Sequence, residues 1–556
     1  MRPTIDQLRG WDTAALGAAS VAAETNAGKV DDAVDAAVRA LDRAESWHGK
    51  SHDAATLRMV QERDHAQEVR NVLNQIADEA KDASIDLGFA KGHVLREVDA
   101  ALTQGYTVTP DGIVSHPDED KRDEINRIQA AIAAGLTTVD ELDERYGLRL
   151  KSLSQDLAAM VNGQPDVIVQ VEPGQFVLMD ADDVVTKLKG MTPDQRAKYL
   201  AGLSPDDLRR VMQADPDTIG NLDGVPFPLR IDANEVNIRN ALFDEKQKRQ
   251  PDSGRIAQLE SMLKPIDDPL KDPSGADDGK IERTFLAFKN NSNGHMIEVV
   301  GTIGPSTKNV ATYVPGTGTN LNGSQTNHNA AWNLAEKSGA PVIVYMNGDL
   351  PQGMWPGLSD SDAFDTTPAN QMAPGLVDFG HELDRTLAGI APDAKTTFIG
   401  HSYGGSIVGT AEQLGLNADR VIYASSAGTG VIDDQPWQNP NPDVKRYSLT
   451  PPGDLIHLSQ LFPSQHGGDP DTAVGVTRMD SGYYSDGKLI EGQASHGKYW
   501  DDPGSDAFEN MVRVISGEEP TPYVHRLNDY ADPPARIELP PGYLDYVPGL
   551  GLRYGR

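Results

Sequence analysis

The chain has 556 residues, with 50 Lys and Arg against 83 Asp and Glu and a formal net charge of −33; at roughly 150 residues per domain this is enough for about two to four folding units. So large an acidic surplus disfavours phosphate-backbone contacts and anionic membrane surfaces, which excludes nucleic acid as an expected partner. The absence of cysteine removes disulfide frameworks, thiolate metal sites and a cysteine nucleophile together.

No run approaches the ~18 apolar residues that a spanning helix requires, so no transmembrane segment is expected. Arg2 and Arg9 precede a small-residue stretch from Thr13 to Ala23. That stretch is too weakly apolar for a signal-peptide core and reads as the start of an amphipathic helix. Val30, Val34, Val38 and Leu41 recur at helical spacing, as do Val69, Leu73, Ile76 and Ala80. Between the two stripes, Gly49 can end one helix and Ser51 or Asp53 can cap the next, giving a helical hairpin with Trp47 at its tip. Trp47 either closes that turn or belongs to a partner or export surface.

Trp47-His48-Gly49 between two helices resembles the WXG-type hairpins handled by actinobacterial type VII secretion systems. The resemblance covers about a fifth of the chain. It implies a secreted or envelope-associated protein with a helical secretion partner; a cytoplasmic location is the alternative. Members of that group often carry Tyr-x-x-x-Asp/Glu just after the hairpin. Here the spacing occurs at Tyr345 to Asp349, in what reads as a buried strand end, so a partner would have to supply the signal.

Tyr106 to Ser115 has β-rich arms around Asp111-Gly112, a strong hairpin signal. Residues 119 to 163 return to helix, and Val167 to Met179 alternate like a short strand pair. Ser204-Pro205-Asp206-Asp207 and Thr192-Pro193-Asp194-Gln195 read as helix starts, each a cap followed by Pro and acidic residues. Helices continue to about residue 264, Asp267 to Asp278 reads as a linker, and the tail from Glu518 is Pro-rich with little periodicity. The expected division is a helical hairpin module over 1–118, a helical connecting region over 119–278, a catalytic α/β domain over 279–517 and a tail over 518–556.

From residue 280, short apolar runs alternate with helical text: Thr284 to Phe288, Ile297 to Val300, Val310 to Val314, Val342 to Met346, Thr396 to Ile399, Arg420 to Ala424 and Val444 to Leu449, with a last strand near Val476 to Met479. Strands spaced by helices predict a mostly parallel α/β sheet, with the first two paired as an antiparallel edge hairpin. Gly400-His401-Ser402-Tyr403-Gly404 follows the fifth strand and precedes a helix. This is the context that a G-x-S-x-G nucleophile elbow requires. In the chain order Ser, Asp, His, the acid falls on Asp454, on the loop after Val444 to Leu449, with Asp433 and Asp434 in reserve. The alternative for Asp454 is an N-cap of the segment from Leu455 to Leu461. The base falls on His496, between the last strand and helical Asp506 to Ile515. His457 follows Asp454 too closely, and His401 reads as a packed elbow residue.

An oxyanion hole needs the Tyr403 N–H and a second donor from the loop after the first parallel strand, where Pro315-Gly316-Thr317-Gly318 offers Thr317 or Gly318. The same glycines do not form a phosphate loop, since no Lys follows at the required spacing. Asn347 to Gln371 is long enough for a lid or binding loop. Met354 and Trp355 from that loop, with Trp437, could form an apolar acyl pocket or could simply pack.

These motifs resemble an actinobacterial branch of the α/β-hydrolase superfamily with Gly-His-Ser-Tyr-Gly elbows and a Pro-Gly-Thr-Gly loop. Ile219-Gly220-Asn221-Leu222-Asp223-Gly224-Val225-Pro226 is similar to a segment those proteins carry ahead of the core. The resemblance covers roughly residues 190 to 517. It implies the α/β-hydrolase fold and serine hydrolase chemistry on Ser402, Asp454 and His496, and it implies no substrate. The expected activity is hydrolysis of a small-molecule or lipid ester through an acyl-enzyme, without metal or organic cofactor. The alternatives are a secretion-associated interaction protein on a hydrolase scaffold and an acyltransferase.

Overall fold

The computed structural model describes residues 2–43, 50–161, 166–172, 175–271, 279–354, 362–432, 435–460, 463–526, 544–547 and 551–554. Trp47, Gly49, Trp355, Asp433 and Asp434 lie outside the described residues. The chain forms two compact units, one of Met1–Met191 with Tyr199–Pro216 and one of Thr192–Lys198 with Asp217–Arg556.

The first unit is built on three long helices, α1 (Ala14–Asp42), α2 (Lys50–Thr103) and α3 (Arg122–Val161). Small residues set their spacing. A Cβ on Gly17 of α1 would stand 3.2 Å from Ser84 Oγ of α2, and one on Gly135 of α3 would stand 2.7 Å from Val94. Ile5 and Leu8, from a short helix capped by Thr4, join Val94, Val98, Ile132, Leu136 and Val139 in one buried cluster. Tyr106 and Val114 of the expected hairpin close that cluster. The hairpin pairs Thr107 with Ser115, and Gly112 supplies the positive φ of 85° in its turn. The strand pair also forms, Asp166–Glu172 against Gln175–Asp180. Its Val167 and Val169 are buried, whereas Ile168 and Leu178 face outward.

The second unit has the α/β-hydrolase fold. Helices α4 (Phe227–Gln247) and α5 (Ser253–Met262) precede strands β1 (Thr284–Lys289), β2 (His295–Val300) and β3 (Asn309–Val314). After these come α6 (Ser324–Ser338), β4 (Val342–Met346), α7 (Thr367–Ile390), β5 (Lys395–His401), α8 (Tyr403–Gln413) and β6 (Arg420–Ala424). β7 (Lys445–Leu449), β8 (Val476–Arg478) and α9 (Asp506–Ser516) complete the core. The sheet order is β8-β7-β6-β5-β3-β4-β2-β1, parallel except where β2 runs against β1 and β4. Every residue of β4 is buried, with Val342, Val344 and Met346 on one face and Ile343 and Tyr345 on the other. Both faces are covered, by α6 and α9 on one side and α7 and α8 on the other.

Both sheet edges are closed, which removes the unpaired ladder groups that invite aggregation. At β1, Asn221 donates to the Phe288 carbonyl and accepts from its N–H, both at 3.0 Å, while Arg230 Nε donates to the Leu286 carbonyl at 2.7 Å. Asn221 comes from the Ile219–Pro226 segment and Arg230 from α4, which follows it. Gly224 of that segment, at φ 86°, could not carry a Cβ, which would lie 2.2 Å from the Pro193 carbonyl oxygen. At β8 the start of the tail lies antiparallel: Asp480 N–H donates to the Thr521 carbonyl and Tyr523 N–H to the Arg478 carbonyl, each at 3.0 Å. Arg526 then grips buried Asp480 through two bonds of 2.6 and 2.7 Å. Among the described residues, no helix is long and apolar enough to cross a membrane and no cluster of His, Asp and Glu could hold a metal ion.

Candidate active site

β5 ends at His401 and α8 begins at Tyr403, so Ser402 carries the whole change of direction, at φ 56° and ψ −123°. Such a conformation is uncommon for a side-chain-bearing residue and persists only when the surroundings impose it. The surroundings do so here through glycine. A Cβ on Gly400 would lie 2.4 Å from Gly405 Cα, and one on Gly404 2.1 Å from the Val314 carbonyl oxygen. Ser402 N–H donates to the Ala424 carbonyl at 3.1 Å, and its own carbonyl accepts from Gly405 and Ala427. The turn is thereby fastened to β6 and raises the hydroxyl above the carboxyl ends of the strands.

Asp454 and His496 reach that hydroxyl from separate segments. Asp454 follows β7 through a turn in which Gly453 has φ 75°, and it is 3% exposed. It both caps the backbone, accepting from Ile456 N–H at 3.0 Å, and accepts from His496 Nδ1 at 2.9 and 3.0 Å. The capping role and the pairing role are held by one side chain. His496 sits on a four-residue helix, Ser495–Lys498, rather than on an open loop. Its Nε2 lies 2.9 Å from Ser402 Oγ. Because a carboxylate only accepts, Nδ1 carries the hydrogen, and Nε2 is left to accept from the serine hydroxyl. The segments carrying the two residues are themselves tied, Gly492 N–H donating to the Pro452 carbonyl at 2.7 Å.

The loop after β3 comes closer to Ser402 than any motif indicates. A Cβ on Gly316 would be 2.6 Å from Ser402 Cβ, so only glycine fits there. Gly318 N–H donates to the Pro351 carbonyl at 2.7 Å, so it could serve as an oxyanion donor only by giving up that bond. The Tyr403 N–H heads α8, where first-turn donors have no intrahelical partner. The Tyr403 hydroxyl donates to the Asp365 carbonyl at 2.5 Å and accepts from Ala369 N–H at 3.2 Å. Buried His466 donates to the Ala363 carbonyl at 2.9 Å and packs edge-on to Tyr403. Residues 363–369 of the 347–371 loop are therefore fastened to Tyr403 and His466 beside Ser402, and Met354 on the same loop is 53% exposed. Trp437 is engaged elsewhere: its indole donates to the Val474 carbonyl, and its ring lies 4.2 Å from the Arg446 guanidinium. Arg446 is in turn paired with buried Glu412, so Trp437 packs against an ion-paired guanidinium.

His457 bonds to Gln460 and takes no part. His401 was legible only as an elbow residue, yet its Nε2 lies 2.9 Å from the His496 carbonyl oxygen. Sequence pattern gives no sign of that contact, because the partner atom is main-chain.

A sequence profile described as alpha/beta hydrolase matches residues 290–458. Solved structures with a similar arrangement include a carboxyl esterase from the fungus Tuber melanosporum, at 14% identity over 42% of this chain and 87% of that one, with a TM-score of 0.26. A Pyrobaculum calidifontis esterase is 14% identical over 50% and 95% of the two chains, with a TM-score of 0.25. A thermostable esterase from Pseudomonas putida is 13% identical over 50% and 94%, with a TM-score of 0.27. No curated protein sequence matches the chain.

Proposed function

We propose that this protein is a serine hydrolase that cleaves a carboxylic ester through an acyl-enzyme, with Ser402 as nucleophile, His496 as general base and Asp454 orienting the imidazole. The observation that carries the reading is the continuous hydrogen-bonded chain from Asp454 through His496 to Ser402 Oγ, every link at 2.9 to 3.0 Å. As the Ser402 oxygen attacks the ester carbon, its proton passes to His496 Nε2, and Asp454 stabilises the imidazolium that forms. Negative charge develops on the former carbonyl oxygen, where the N–H groups of Tyr403 and Thr317 can receive it. The imidazolium protonates the departing alcohol, and a water molecule deprotonated by His496 then releases the acid. An apolar pocket for the acyl group would draw on Met354 and Trp355 of the 347–371 loop.

A fluorophosphonate probe tests this directly. It should label the native protein and not Ser402→Ala; an unlabelled native protein would favour a hydrolase-fold interaction protein without turnover. Transfer of the acyl group to an alcohol instead of water would appear as a second ester product when alcohol is added.

The export reading rests on the pairing of α1 and α2, where Ser84 Oγ donates to the Thr13 carbonyl at 2.9 Å, and on the WXG-type resemblance. It requires a helical partner protein. Recovery of the chain outside cells that carry a type VII system, lost when that system is disabled, is the expected outcome.

A further inference from the structure

His401 lies partly buried behind the nucleophile and has no role in the proton path, yet it makes a specific contact with the base. Its Nε2 lies 2.9 Å from the carbonyl oxygen of His496. A carbonyl only accepts, so His401 Nε2 carries the hydrogen. Burial, reinforced by the neighbouring His496, pushes the His401 imidazole down to about 3. The ring is neutral over the working range of a hydrolase, and its single N–H is spent on that carbonyl. Three aromatic neighbours fix the ring plane, with His496 at 5.1 Å and Trp500 at 5.2 Å between centroids and Tyr499 edge-on at 6.3 Å.

The contact matters because the base is otherwise remote from the nucleophile strand. Ser402 and His496 are 94 residues apart in sequence, and the short helix holding His496 is anchored by its own turn, by the Asp454 segment and by the buried Tyr499 and Trp500 that follow it, Tyr499 donating to Ser425 Oγ at 3.1 Å. Among the described residues, no other hydrogen bond joins the backbone of residues 495–501 to β5. A donor on β5 next to Ser402 references the base directly to the atom it must deprotonate. Proton transfer is sensitive to displacements of that distance by fractions of an ångström. The donor must also be uncharged, because a cation at this distance would oppose formation of the His496 imidazolium.

We propose that His401 is a positioning residue for the Ser402–His496 pair, acting through the hydrogen bond from its Nε2 to the His496 carbonyl. The proposal rests on the triad reading above. The test compares His401→Phe, which keeps an aromatic ring and removes the donor, with His401→Gln, whose side-chain amide can place an N–H near the same point. The expected result is a loss of about 10- to 100-fold in kcat for His401→Phe with KM within about twofold, a matching slowdown of fluorophosphonate labelling, and recovery by His401→Gln to within about threefold of the native protein. A merely structural role would move thermal stability in both variants and would not be rescued in kcat by the amide. Native labelling together with His401→Phe at the native rate, or His401→Gln as impaired as His401→Phe, overturns the positioning role and leaves the triad intact. If His401→Phe does not fold, His401→Asn, whose amide falls short of the carbonyl, takes its place, and equal kcat for His401→Asn and His401→Gln overturns the proposal. A native protein that fails to label overturns the triad reading, and this inference with it.

Discussion

The two units bury their residues by different rules. In the helical unit the cores are separate and simple: Val72 with Leu153 and Met160, Ala83 with Leu87 and Tyr146, and the larger group around Ile132. Ile85 and Phe89 of α2 stay exposed. In the hydrolase unit two continuous cores flank the sheet, and charges are buried within it, among them Glu298 with Arg283 and His328. The only described non-glycine residues with positive φ, Ser402 and Ser425, both belong to this unit, at the carboxyl ends of β5 and β6. Long helices are stabilised by repetition along their length and have no need of strained positions. A site that must hold a hydroxyl, an imidazole and a carboxylate in register needs a rigid frame around strained backbone, and the sheet supplies it.

Substitutions in the two units should therefore have very different consequences. The largest effect is expected at the hydrogen-bonded chain: Ser402→Ala or His496→Ala should each lower kcat by about 10⁴- to 10⁶-fold, and the double variant should be little worse, because the three groups act as a unit. Additive losses in steady-state kinetics would show that they do not. Asp454→Asn should cost about 10³- to 10⁴-fold by favouring the wrong imidazole tautomer; a loss under tenfold would move the acid elsewhere, with Asp433 and Asp434 the first to test. Gly316→Ala, whose Cβ would meet Ser402 at 2.6 Å, should lower kcat by more than about 100-fold. Gly318→Ala meets nothing within 4 Å and should cost only about 1 kcal/mol in stability from its φ of 82°.

Glu298 tests the frame rather than the chemistry. Burial raises its pKa, but Arg283 and His328 more than offset that effect and hold the carboxyl at about 2, against an ordinary 4.5. Its contribution to stability is therefore complete above about pH 4.5 and lost as pH falls through 2. Glu298→Gln leaves Arg283 buried without its counter-charge. Denaturant titrations should show a loss of about 3–5 kcal/mol near neutrality and a flatter dependence on pH between 2 and 5. Equal slopes for the two proteins would mean that the acid transition belongs to other carboxyls. The smallest effect is expected from removing residues 1–191, which should leave the rate of fluorophosphonate labelling within about twofold if the helical unit plays no part in the chemistry. A larger fall in a folded fragment would end the separation on which the contrast rests.

Much of the second unit was readable because its strands are apolar runs of five or six residues between helices, and because an elbow serine restricts where its partners can come from. Ser402, Asp454 and His496, which the structure brings within hydrogen-bond distance, were each singled out from chain order and from the strand they follow. The parts that escaped depend on contacts between distant main-chain atoms. Nothing near Gly318 shows that its N–H is taken by Pro351, nothing near Trp437 shows that it covers Arg446, and the direction of the His401 ring is invisible until His496 is in place. The Ile219–Pro226 segment was recognisable as a motif, but its task, closing the free edge of β1 through Asn221 with Arg230 of α4 beside it, required the sheet. The start of the tail was read as unpatterned because a single extended strand on a sheet edge carries no amphipathic period; Tyr523 and Arg526 hold it by backbone pairing and charge. In the first unit, the core around Ile132 draws on residues from Ile5 to Val139. The turn signals before residue 119 therefore mark a hairpin within that core.

The serine mechanism requires a covalent acyl-enzyme intermediate. Native protein mixed with a slowly hydrolysed p-nitrophenyl ester and quenched in acid should gain the mass of one acyl group, and peptide mapping should place it on Ser402. Hydrolysis that proceeds with no adduct, or with the adduct on any other residue, would contradict it.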